Sequence, residues 1–72
     1  MNIQLKDMKL IFKVEGTSLT RTVTDMYGNV IWECVTQEAT EVDRSPEGLN
    51  AYEEQMRMLP FWKIVEVEKV FL

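Results

Sequence analysis

Hydrophobic and polar positions alternate from Met8 onward. Met8, Leu10, Phe12 and Val14 fall on one side, and Lys9, Ile11, Lys13 and Glu15 on the other. A period of two with one apolar face predicts a half-buried β-strand. Glu15-Gly16 follows, and Gly16 can supply the positive φ of a tight hairpin turn. A second strand is predicted from about Thr17 to Thr24. Leu19, Arg21 and Val23 share one face, and Thr20, Thr22 and Thr24 line the other. Threonine is β-branched and polar, which suits an exposed sheet surface. Asp25-Met26-Tyr27-Gly28 reads as a type I turn, with an Asp that can bond the backbone ahead of it and a Gly at the fourth position.

A third strand runs from Asn29 to about Gln37. Trp32 and Cys34 fall on one side and Ile31 and Val35 on the other, so the pattern predicts partial cover on both sides. Residues 38 to 44 are polar and acidic and read as a loop. Ser45-Pro46-Glu47 is a helix start: the serine can cap free amides, and proline fits the first helical position, where no donor is needed. Leu49, Tyr52, Met56 and Leu59 recur at helical spacing and form one buried stripe. Pro60 ends the helix at the residue before it. The last segment, Phe61 to Leu72, is β-rich. Val65, Val67 and Phe71 share one face, Glu66 and Glu68 the other with Val70 and Leu72, and a switch of the apolar face near Lys69 predicts either a bulge there or burial of both faces at the end.

The expected fold is therefore a small α+β domain of order β-β-β-α-β, a single domain over residues 1–72. It comprises an antiparallel three-strand meander, one helix packed on the sheet, and a C-terminal fourth strand. A helix that runs back along the meander makes the last strand parallel to the first and the third; pairing with the first gives the spatial order 4-1-2-3, while the seven-residue loop before the helix can also reverse the direction. A chain of this length buries only about 60% of the surface that its unfolded form exposes, so every large apolar side chain counts.

Composition narrows the chemistry. The chain has no histidine and one cysteine, Cys34. Histidine is the side chain that titrates near neutral pH and the commonest metal ligand. Its absence removes Ser-His-Asp and Cys-His sites and most zinc sites. Cys34 cannot pair within the chain and reads as a small apolar strand residue, with no cation near it in sequence. Gly16, Gly28 and Gly48 are too far apart for a phosphate loop. Glu66 and Glu68 share a strand face but read as solvated, and Glu38, Glu41 and Asp43 match no calcium loop. No catalytic residue, cofactor or metal is expected. The N-terminal residues carry no signal-peptide pattern and no stretch is long and apolar enough for a membrane span. The reading is a cytoplasmic protein, complete as a small gene product.

Net charge is -4. Between residues 38 and 54 six acids stand against one base, Arg44, so the acidic excess gathers in one loop and the start of the helix. Acids there also complement the helix macrodipole. Lys9, Lys13 and Arg21 make only a small basic set, and direct nucleic-acid binding is not expected. The remaining signal is apolar. Met58 lies opposite the buried stripe, and Phe61 and Trp62 follow Pro60 at once, so some of the three are expected at the surface, where Met and aromatic residues mark interfaces. Trp62 taken alone also suits the core of so small a domain.

These readings predict a non-enzymatic protein-binding module, an inhibitor or adaptor of the kind that a phage or mobile element encodes. Met58, Phe61, Trp62, Glu47 and Glu54 are its expected partner-binding residues. Pairing at a sheet edge, through Ile64 to Leu72, offers a route to a homodimer. The alternative is an acidic nucleic-acid mimic, with Glu41, Asp43, Glu47 and Glu54 covering a partner's DNA or RNA site.

Overall fold

The computed structural model describes residues 5 to 72. Strand β1 (Asp7–Glu15) pairs antiparallel with β2 (Ser18–Asp25), which pairs antiparallel with β3 (Val30–Thr36). A short helix α1 (Glu41–Arg44) and a longer helix α2 (Pro46–Met58) return the chain to β4 (Lys63–Phe71), parallel to β1. The sheet order is β3-β2-β1-β4, the order expected from a helix that runs back along the meander.

Each turn follows from its residues. Glu15 and Ser18 are the last paired positions of the first hairpin, leaving Gly16-Thr17 as a two-residue loop. At the second hairpin the Gly28 amide donates to the Asp25 carbonyl at 3.2 Å, closing the four-residue turn, and Gly28 itself has φ +91. That backbone conformation is open to glycine and strained for most other residues.

The core lies between the sheet and α2. Met8, Leu10, Phe12 and Val14 from β1 meet Leu19 and Val23 from β2, Leu49 and Met56 from α2, and Ile64 from β4. Tyr52 and Leu59 complete the helix stripe and are partly buried. Trp62 is buried at 8% exposure, and its indole Nε1 donates to the Met56 carbonyl at 3.2 Å. A buried indole keeps its apolar body in the core and gives its one donor a partner.

Three expectations are corrected. The segment over residues 38 to 44 is not all loop, because residues 41–44 form α1. The Thr40 hydroxyl accepts from the Asp43 amide at 3.2 Å and starts this turn. β3 is covered on one side only. Trp32 and Cys34 are half-buried toward the helix, while Val30, Ile31 and Val35 are exposed, since no second layer lies on that face among the described residues. The bulge in β4 falls at Val65, where the register against β1 steps from Ile64 to Glu66, and not near Lys69. After that step Val67, Lys69 and Phe71 sit opposite Leu10, Phe12 and Val14. Lys69 therefore lies on the helix side of the sheet and reaches Asn50 Oδ1 at 2.8 Å.

Candidate interaction surfaces

One end of the molecule gathers exposed apolar side chains. The register aligns Asp25 with Met8 and Lys63 with Asp7, so the end of β2 and the starts of β1 and β4 share one rim. Leu5, Met26 and Tyr27 project just beyond it and line an open cleft of about 970 Å³ with Lys6 and Lys63. The helix also ends on this side, because α2 leads directly into β4. Met58 is 83% exposed, Phe61 69% and Tyr27 93%. Asp25 anchors the turn: its carboxylate accepts from the amides of Tyr27 and Asn29, at 2.9 Å each, and from Asn29 Nδ2 at 2.8 Å. The bond from the Asn29 side chain, followed by the backbone donors, holds its carboxyl below the ordinary range.

Trp62, which the sequence allowed at the surface but which also suited the core of so small a domain, lies in the core and not at the contact surface. Its ring packs edge-on to Phe61 at 6.0 Å and tilted against Trp32 at 6.5 Å, so Phe61 presents the outer aromatic face and Trp62 supports it from below.

A second surface is acidic. Glu47 and Glu54 lie exposed on α2, with Glu38 and Glu41 exposed before it. Among the described residues none of these four, nor Asp43, has an ion-pair partner; the ion pairs are Lys9 with Glu68, Lys13 with Glu15 and Arg57 with Glu53. Arg44, the one base of the acidic stretch, turns away. Its Nε donates to the Ala39 carbonyl at 3.1 Å and its Nη1 to the Gly16 carbonyl at 3.2 Å. Those bonds tie α1 to the first hairpin and turn the one base of the stretch away from its acids. Such a field attracts cationic surfaces over roughly a Debye length, about 8 Å at physiological salt.

A groove of about 290 Å³ runs beside these acids where α1 meets α2. Ser45 makes the junction. It closes α1 by donating its hydroxyl to the Val42 carbonyl at 2.6 Å, and it caps α2 by accepting from the Gly48 amide at 3.1 Å. The absence of a side chain at Gly48 lets the α1 backbone lie against α2: a Cβ there would meet the Val42 carbonyl and come within 2.9 Å of Asp43 Cα.

The basic set does not assemble. Lys9 and Lys13 point to the open sheet face, while Arg21, opposite Phe12, points under the helix. There its guanidinium lies 4.3 Å from the Tyr52 ring centre and 5.6 Å from that of Trp32. Its Nη2 donates to Cys34 Sγ at 3.2 Å, and its Nε is buried with no partner among the described residues. This cluster was not legible in the sequence, because its members lie on β2, β3 and α2. Only the pairing of Arg21 with Cys34 across the β2–β3 ladder reveals it. Glu66 and Glu68 are exposed on the open face, with Glu68 bridged to Lys9 at 3.2 Å. Among the described residues no three acidic or thiol side chains gather as a metal cage, and no helix is long and apolar enough to cross a membrane. No family model, curated protein or solved structure matches this chain.

Proposed function

We propose that this chain is a non-enzymatic protein-binding module whose main contact surface is its apolar end, formed by Met58, Phe61, Met26 and Tyr27. The observation that carries this reading is the exposure of all four of these large side chains, although a small domain needs such residues for its core. Met and aromatic residues give large contact area and are enriched at interfaces. Binding without chemistry is the mode of an inhibitor or adaptor, and a small acidic chain of this kind suits an accessory gene of a phage or mobile element.

A photo-crosslinking amino acid at position 61 tests the reading directly. A single protein joined reproducibly through that position, and lost when Met58→Glu and Tyr27→Ser are added, is the expected result. Both added substitutions are at exposed positions, so the fold should change by no more than ~0.5 kcal/mol. Absence of any specific adduct would defeat it.

A second reading is acidic mimicry of nucleic acid by Glu41, Asp43, Glu47 and Glu54, favoured by the lack of ion-pair partners for these carboxylates among the described residues. Mimicry predicts a complex that weakens steeply with salt, whereas the apolar end predicts little salt dependence.

A further inference from the structure

We infer that the groove between α1 and α2 takes a basic segment of a protein partner, with one apolar side chain inserted and Lys or Arg on either side. The inference shares with the functional reading only the class of ligand, a protein, and concerns a different surface. Val42, Ala51 and Tyr52 make an apolar lining, and Asp43, Glu47 and Gln55 form the polar rim. Val42 is 69% exposed, an uncovered branched side chain beside two acids. At about 290 Å³ the groove sits at the bottom of the small-molecule range of roughly 300–1,000 Å³, so it fits one side chain better than a compact ligand.

Two features hold the groove ready. The contact of α1 on Gly48 and the shared cap at Ser45 set the distance between its walls. Arg21 stacks on Tyr52 from the sheet side and holds that ring in place. Pre-set walls reduce the ordering cost of binding. Charge chooses the occupant. The rim is acidic and Arg44 is turned away to backbone carbonyls, so neutral or acidic flanks gain nothing at the rim, while flanking cations meet carboxylates that have no partner among the described residues.

The test uses three short capped peptides on the full chain, followed by backbone amide chemical shifts. The probes are Gly-Arg-Leu-Arg-Gly, Gly-Arg-Gly-Arg-Gly and Gly-Glu-Leu-Glu-Gly. The first should perturb Val42, Ala51 and Tyr52 and bind about tenfold more tightly than either control, the effect of one apolar side chain or of two charge contacts. Ala51→Arg, at an exposed helix position that arginine suits, should abolish those shifts while the fold is retained. Equal response to Gly-Arg-Gly-Arg-Gly would reduce the site to diffuse charge and overturn the inference. Shifts centred on Met58 and Phe61, or none at millimolar peptide, would also overturn it. Concentration-dependent shifts at the groove without peptide would assign it to a second copy instead. A failure at the groove leaves the crosslinking test at position 61 to be decided by its own result, so the two readings fail separately.

Discussion

Arg21 occupies a β2 position where the alternation asks for an apolar residue, and two aromatic rings make the substitution tolerable. Arginine is weakly hydrated and planar, so its guanidinium stacks on Tyr52 and Trp32 where an ammonium would lose its water. A cation–π contact contributes about 0.5–2 kcal/mol, while a buried donor without a partner costs about 1–3 kcal/mol. The Nε atom carries that cost. The balance is near even, so the residue acts less as glue than as a fixed support for the Tyr52 ring. Asp25 acts in the opposite manner, fully satisfied at an exposed turn. Its folded pKa is depressed, chiefly by the Asn29 side chain. A depressed carboxyl stabilises the fold above its unfolded pKa and loses that contribution as pH falls through the folded value. Asp25→Ala should therefore lower the melting temperature at pH 7. The gap to wild type should narrow on acidification below the ordinary aspartate value of 3.8. Melting curves across pH 2 to 7 would check this, and a gap independent of pH would rule out the carboxylate as its source.

At the scale of elements, the junction of the two helices is the most constrained segment. Thr40 caps α1, Ser45 ends it and caps α2, and Pro46 starts α2 without needing a donor. The Thr40-x-x-Asp43 spacing is a helix-start signal in the sequence. The loop reading of residues 38 to 44 missed it, because Pro46 allows only one turn of helix before the next begins. Gly48 inverts an ordinary rule. Alanine in place of glycine within a helix usually stabilises by about 1 kcal/mol. Here the added Cβ meets the α1 backbone, which must move. Gly48→Ala should destabilise by ~1–3 kcal/mol, the cost of overpacking. Urea unfolding would measure it, and a more stable variant would show that α1 yields freely. α2 is further tied to β4 by Arg57 Nη1, which donates to the Ile64 carbonyl at 2.7 Å. This bond also occupies one acceptor of β4, an edge strand of the sheet.

For the whole molecule, burial separates residues that look alike in sequence. Phe61 and Trp62 are neighbours of similar character, yet one is exposed and the other is core. Trp62→Ala should cost ~3–5 kcal/mol, and Phe61→Ala no more than ~1.5 kcal/mol, the worth of its edge contact with Trp62. Chemical denaturation of both variants would check the contrast, and comparable losses would contradict the assignment of Phe61 to the surface. Strand boundaries, the cap at Ser45, the end at Pro60 and the inward stripe of α2 were legible because each depends on residues a few positions apart. Period-two alternation, capping and proline geometry act locally. The α+β order and the exposure of Met58 followed from the same local rules. The position of the β4 bulge, the uncovered face of β3, the Arg21 cluster and the fate of Trp62 did not. Each depends on which residue of a distant element lies opposite, and sheet register and close packing decide that only when the chain is folded. The acidic excess was plain from composition. That its one base turns from the acids to the carbonyls of Ala39 and Gly16 was decided by the docking of α1 against the first hairpin.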